Sequence, residues 1–372
     1  MEFEPSADQK ALQDALRKLF EGEYSFESRK RILATPQGFD ADVWAQLAAQ
    51  GVLAAGLPAD CGGFGGAAEV GVVMEQIGRH LVLEPYFSTV VLGGGLIDRL
   101  GSEAQRQSLL PAVASGGTRI AVARFDGEVP TYRLGKDGGL TLNGSITLVP
   151  DAPVSNRLIL RAREDGAQGD YSSVFVLDTA AAGLHSTSYR THDGRCAADV
   201  RLEDVFVPAE AMLGKPGDGA KAAEITEMLA IPALCAEAVA ILDALIEATL
   251  GYLHARTQFG QPIGRFQALQ HRLADMFVMA TQARSMSLLA QDRAQHPDPT
   301  VRRRALSSAK AYVDEAARFI GQNAIQLHGG MGMTAELIVS HYFKRLTLIG
   351  TAFGDRSHHI GVVSDAILAE ST

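Results

Sequence analysis

Arg256-Thr257-Gln258-Phe259-Gly260-Gln261-Pro262-Ile263-Gly264-Arg265-Phe266-Gln267 separates two long helical patterns in this chain. It follows a long apolar helical pattern and interrupts it with glycine and proline, which punctuate helices. Beyond it, Leu269, Leu273, Met276, Phe277 and Ala280 predict one apolar helix face. His296-Pro297-Asp298-Pro299 predicts the end of that helix, because proline cannot continue it. A third long helix is predicted from about Thr300 to Leu327, with Val301, Ala305, Ala309, Val313, Ala316 and Ile320 as its stripe. It ends in Gln326-Leu327-His328-Gly329-Gly330-Met331-Gly332, since glycine takes the left-handed cap cheaply. A last helix or pair follows from Ala335. Long helices with short breaks predict an antiparallel bundle over residues 219–372.

Upstream the period changes. Residues 118–218 carry short segments rich in strand formers: Arg119–Ala123, Leu140–Leu142, Ile146–Val149, Arg157–Leu160 and Ser173–Leu177. Asn143-Gly144 predicts a hairpin turn, because a type I′ turn needs positive φ at both central residues. Residues 1–117 read as helical again, from Ala11–Phe20 and Val43–Leu47. The glycine-rich break Leu57–Gly66 lacks the Lys-Ser/Thr pair of a phosphate-binding P-loop, so it reads as a tight turn between helices. Three domains are expected: a helical one at 1–117, a β-domain at 118–218 and a helical bundle at 219–372.

Composition narrows the function. At 372 residues, 47% hydrophobic and 21% charged, the chain is long and apolar enough for a large core. A net charge of -9 argues against a general nucleic-acid or anionic-membrane surface. Cys61, Cys196 and Cys235 are scattered and form no C-x-x-C pattern, which fits a reducing cytoplasm. The acidic start Met1–Pro5 lacks the basic and apolar regions of a signal peptide, so no leader is expected. The apolar stretch Met228–Leu250 contains Pro232, Glu237, Asp243 and Glu247, which suits a buried bundle helix better than a membrane span.

The Arg256–Gln267 and Gln326–Gly332 segments resemble, in this order, two turns of the acyl-CoA dehydrogenase family of flavoproteins. The exit segment Asp193–Pro208 resembles the end of that family's middle β-domain, and Leu57–Gly66 an early loop. The resemblance covers nearly the whole chain and is strongest over 190–332. It implies an α+β multidomain fold: an N-terminal α-helical domain, a middle β-barrel domain and a C-terminal four-helix bundle. It also implies FAD as cofactor, an acyl-CoA substrate, oligomerisation and an electron-transfer flavoprotein as acceptor. In the family both turns reach across a subunit interface to the FAD of a neighbouring chain. Carried over, the cofactor-binding residues are Arg256, Phe259, Gln267, Gln326, Gly329 and Gly330. Arg256 supplies a cation and the Gly329-Gly330 turn supplies backbone N–H groups for the pyrophosphate. Phe259 packs on a ring, and Gln326 bonds the adenosine or phosphate end.

Other family features are missing. The flavin-binding T-E-P-x-x-G-S-D segment corresponds to Ala123–Pro130, and W-I-T/S-N to Ile146-Thr147-Leu148-Val149, without tryptophan; Trp44, the only one, lies in the helical N-terminal region. This chain's own flavin-ring site is therefore expected to be degenerate. The family's catalytic glutamate, which removes the substrate α-proton, corresponds to Phe353; a second family position corresponds to Ala230. Neither takes a proton, so the catalytic residue is not identified. The tail around His341–Thr347, Phe353–Asp355 and His358-His359 resembles the small subunits of heteromeric members acting on dicarboxylic or steroid side-chain CoA thioesters. There a homologous partner supplies the base. Three other readings stay open: a self-sufficient homodimer or homotetramer using Glu227 or Asp355, a non-catalytic structural subunit, and a flavin monooxygenase.

Overall fold

The computed structural model describes residues 4–135, 138–167 and 171–370; Met1–Phe3, the start of the acidic N-terminal stretch, lie outside the described residues. The chain begins with α1 (Ala7–Glu23), α2 (Phe26–Ala34), α3 (Ala41–Ala49), α4 (Ala67–His80), a π-helical segment (Phe87–Gly94), α5 (Gly95–Leu100) and α6 (Glu103–Ala114). Strands follow: β1 (Ile120–Val122), β2 (Thr131–Leu134), β3 (Leu140–Pro150), β4 (Arg157–Glu164), β5 (Ser172–Asp178), β6 (Leu184–Arg190), β7 (Cys196–Val207) and β8 (Met212–Leu213). The rest is helical around one small hairpin: α7 (Gly219–Ala255), β9 (Thr257–Gln258), β10 (Gln261–Pro262), α8 (Gln267–Arg293), α9 (Pro299–His328), α10 (Ile338–Thr351) and α11 (Arg356–Glu370). Helices, then a sheet, then helices is the expected α+β order. By contacts the chain divides into two compact units. One comprises Met1–Arg29, Ala67–Val82 and Ala230–Thr372; the other comprises Lys30–Gly66 and Leu83–Leu229.

The second unit is built on the sheet, with strand order β6-β7-β3-β2-β4-β5-β8 and β1 pairing parallel with β4. Alternate residues of these strands share one core that includes Tyr132, Leu142, Leu158, Phe175 and Val200. The Tyr132 and Phe175 rings meet edge to face at 5.1 Å. Trp44 on α3 is buried and donates its indole N–H to the Gly116 carbonyl at 2.9 Å. The predicted Asn143-Gly144 hairpin is absent. β3 runs straight through these residues, and the reversal lies between Leu134 and Leu140, which pair with each other. Asn143 instead marks a bulge opposite β7, where its side-chain amide donates to Asp204 and its oxygen accepts the Asp204 N–H, both at 2.9 Å. β6 escaped the sequence reading because its residues are mostly exposed and show no apolar alternation.

The first unit is the bundle. Asp298 caps α9 by accepting from the Thr300 and Val301 N–H groups, which explains the helix restart after the prolines. The predicted α8 face splits: Met276 and Ala280 are buried, but Phe277 is 65% exposed. α7 is the one helix among the described residues long and apolar enough to cross a membrane, and 83% of its most apolar window is buried. At its centre Glu237 has no exposure. Both its oxygens accept from the Arg345 guanidinium of α10, at 2.6 and 2.7 Å. A Cβ on Gly78 of α4 would stand 2.4 Å from the Glu237 carbonyl oxygen, so this crossing requires glycine.

All three cysteines are buried and free. Burial pushes the Cys196 and Cys235 thiols up to about 12 and raises Cys61 as well.

Replacing Arg345 with methionine removes the guanidinium from which both buried Glu237 oxygens accept. The expected loss is about 3–5 kcal/mol, read as a fall in the denaturant midpoint of the purified chain.

Candidate functional site

The decisive stretch folds as a tight hairpin. β9 and β10 pair antiparallel (Gln258 with Gln261, Thr257 with Pro262), leaving Phe259 and Gly260 as a two-residue tip. Their φ values of 53° and 78° give the positive φ at both positions that a type I′ turn demands. Glycine tolerates this; an L-aromatic residue there costs about 1–2 kcal/mol. The strained ring is not repaid by burial. Phe259 is 91% exposed, its only described ring contact being edge-on to Phe266 at 6.0 Å. The Ile263 N–H donates to the Arg256 carbonyl at 2.8 Å and closes the hairpin base. Arg256 and Gln267, on either side of it, are exposed.

The end of α9 presents the second segment. Gln326 is exposed, and the Gly329 N–H donates to its carbonyl. Gly329 has φ 59° and ψ -142°, a region essentially reserved for glycine. A Cβ added to Gly329 or Gly330 would meet nothing within 4 Å, so the backbone is open on that side. His328 is buried, stacks on Tyr252 of α7 with ring centroids 4.4 Å apart, and its Nδ1 lies 2.8 Å from the Ala324 carbonyl. Since a carbonyl only accepts, Nδ1 carries the proton; burial lowers the ring's pKa and keeps it neutral. The Tyr252–His328 stack brings the two segments to one end of the bundle, four residues before Arg256 and one before Gly329. Beside them a cleft of about 430 Å³ is lined mainly by apolar side chains, among them Leu250, Leu253, Leu273 and Phe277.

The connection after β1 and the β3 stretch, which align with flavin-ring contacts, are occupied by interactions within the chain. Arg124 grips Asp126 with two hydrogen bonds, at 3.0 and 2.7 Å, and Phe125 is buried. Thr147 is exposed beside Leu148, whose φ is 53°. The Leu148 N–H donates to Asp199 at 3.0 Å, and Asp199 also accepts from the Tyr189 hydroxyl at 2.8 Å.

Neither position expected from the resemblance to hold the base carries a titratable side chain. Ala230 is fully buried on α7. Phe353 is half-buried in the turn between α10 and α11, with φ 57°, followed by Gly354 at 95°. Asp355 accepts from the His358 N–H at 2.9 Å and caps α11. Glu227 is half-buried on α7. The adjacent His358 and His359 separate: His358 is exposed, His359 only 1% exposed.

Lys310 and Asp314 on α9, not singled out by any sequence pattern, are 0% and 7% exposed. A Lys-Asp pair four apart reads as a solvated helix face. The available signal was their position among Leu306, Ala309, Val313 and Ala317, which are all buried.

Residues 6–117 match the model of the acyl-CoA dehydrogenase N-terminal domain, and residues 217–368 that of the C-terminal domain. The probable acyl-CoA dehydrogenase YngJ of Bacillus subtilis (strain 168) is 30% identical over 84% of this chain and 85% of its own length. The crystal structure of the ChsE4–ChsE5 complex from Mycobacterium tuberculosis superposes over the full length of both chains with a TM-score of 0.89 at 25% identity. A structure described as the FAD complex of PigA has the same fold, with a TM-score of 0.87 at 21% identity over the full length of both chains. With the expected order of helices, sheet and helices and both turns in place, the chain belongs to the acyl-CoA dehydrogenase family of oxidoreductases.

Proposed function

We propose that this chain is a subunit of an FAD-dependent acyl-CoA dehydrogenase that desaturates the α,β-bond of an acyl-CoA thioester, and that a homologous partner supplies the catalytic base. The observation that carries this reading is the filling of both expected base positions by side chains that take no proton, Phe353 and Ala230, while Asp355, two residues past Phe353, is committed to capping α11. A carboxylate in an apolar pocket suits α-proton removal, because desolvation raises its pKa towards neutrality. The cap on Asp355 counts against a self-sufficient enzyme that uses Asp355 as its base. The likeness to a complex of two differently named chains, ChsE4 and ChsE5, supports a heteromer.

The residues present fit FAD. The open face of Gly329-Gly330 admits a pyrophosphate to the backbone, Arg256 offers an exposed guanidinium, and Phe259 offers an exposed ring held in place by its turn. Gln326 and Gln267 flank these groups and are exposed. An exposed, strained aromatic is stable company for a ring brought by another molecule, which supports a cofactor shared across a subunit interface. When bound, FAD accepts the hydride from the substrate β-carbon. An electron-transfer flavoprotein is the acceptor this reading implies. The chain's own sheet contributes less, since Arg124 is already paired with Asp126.

Expressed alone, the chain is expected to be colourless, and to turn yellow on co-expression with a base-bearing homologue. Its visible spectrum and FAD content test this, and one FAD bound per chain in the isolated protein would overturn the borrowed site. In the complex, Arg256→Ala is expected to weaken FAD binding by roughly 1.5–3 kcal/mol, as for a charge-assisted hydrogen bond. Unchanged affinity in a fluorescence titration would remove Arg256 from the site. Phe259→Asn places the preferred Asn-Gly pair at the hairpin tip. It is expected to stabilise the isolated chain by about 1 kcal/mol while lowering the FAD retained by the complex on gel filtration.

A further inference from the structure

Three polar side chains of α9 converge on the turn that carries Phe353. Ser307, Lys310 and Asp314 lie on one face of the helix and are 3%, 0% and 7% exposed. The Lys310 ammonium donates to Asp314 Oδ2 at 2.6 Å and lies 3.3 Å from the Gly354 carbonyl, to which it also donates. His359 of α11 has its Nε2 3.0 Å from the Phe353 carbonyl and its Nδ1 3.2 Å from the Ser307 hydroxyl. Because a carbonyl only accepts, Nε2 carries the proton and Nδ1 accepts from Ser307. Burial, then the charge of Lys310, pushes His359 down to about 4, so the ring is neutral at physiological pH as this tautomer requires. Two consecutive carbonyls, those of Phe353 and Gly354, thus accept from two buried side chains.

Packing alone does not account for such an arrangement. A fully buried lysine is expensive, and an apolar side chain of similar length fills the same space. Asp314 Oδ1 is buried with no hydrogen-bond partner, and burial raises that carboxyl's pKa against the pull of Lys310. What the cluster does accomplish is to hold a backbone conformation that an aromatic residue resists, φ 57° at Phe353. Strain of this kind persists only where the surroundings over-determine it.

We propose that Lys310 and His359 are positioning residues: by fixing the Phe353 and Gly354 carbonyls they hold the half-buried Phe353 ring as a wall against the acyl chain of the substrate. The role of the ring rests on the reading of the site given above. The hold on the turn does not, so the two fail separately.

The test compares His359→Leu, which removes the donor, with His359→Gln, which keeps an N–H of similar reach. The double variant Lys310→Met/Asp314→Leu removes the second hold without leaving a buried charge unpaired. In the full chain, within the complex it purifies in, hydrogen exchange of the peptide spanning residues 352–357 is expected to speed up about tenfold in His359→Leu and in the double variant, and to stay near wild type in His359→Gln. With octanoyl-CoA and butyryl-CoA as probes, KM is expected to rise about fivefold in the same two variants while kcat changes little. Unchanged exchange in both, or failure of glutamine to rescue, overturns the hold. Faster exchange with an unchanged KM overturns the positioning of the ring. A wild-type complex that turns over no acyl-CoA defeats the functional reading instead, and leaves the exchange result to judge the hold. Should His359→Leu fail to fold, the double variant decides.

Discussion

The first unit depends on the ion pair between Glu237 and Arg345. A carboxylate with no exposure is tolerable only if a cation reaches both of its oxygens, and Arg345 does. That demand fixes the register of α10 against α7. It also fixes α4, whose Gly78 leaves no room for a side chain beside the Glu237 backbone. α10 in turn delivers the turn that follows it, so a charge pair in mid-bundle settles where Phe353 and Asp355 stand. Glu237 was visible in the sequence only as an interruption of an apolar helix. Its position there has a physical cause, since the most deeply buried helix is where a specific pair best excludes alternative registers.

Much of the fold was legible because it rests on periodicity. The predicted α9 stripe is buried from Ala309 through Val313, Ala316 and Ile320, while its first residue, Val301, is exposed in the opening turn and Ala305 is half-buried; Asp298 starts the helix just past Pro297. The misreadings share a different cause. Asn143-Gly144 carries a strong local turn preference, yet β3 continues through it because Leu142 and Ile146 both belong to the sheet core and Asn143 finds Asp204 across the bulge. Phe277 fits the helical period but faces the cleft beside Leu250 instead of the core. Lys310 was invisible because a charged residue is read as solvated until the three-dimensional neighbours are known. Of the candidate site, the two turns were legible as breaks between helices, through Gly260 and Gly329. That Tyr252 and His328 clasp them to one end of the bundle was not, because the stack joins residues far apart in sequence.

Two phenylalanines, 259 and 353, sit in backbone conformations that favour glycine, and each is followed by a glycine with positive φ. The arrangements differ in how the strain is borne. At Phe353 the surroundings hold it through buried donors to successive carbonyls. At Phe259 only the hairpin holds it, and the ring stands in solvent. A side chain supported from within is suited to shaping a pocket of its own chain, and one left bare is suited to completion by something that arrives from outside. The chain therefore carries one strained ring supported from within and one left in solvent.

The buried cysteines carry a practical consequence. With their thiols shielded and held far above their ordinary pKa, Cys196 and Cys235 present almost no thiolate to an oxidant or an alkylating reagent while the chain is folded. Reaction then waits on opening of the surrounding structure. Cys235 belongs to the bundle unit, and Cys61 and Cys196 to the sheet unit. The molecule thus carries native clocks in both halves, and the order in which its thiols become labelled records which half lets go first.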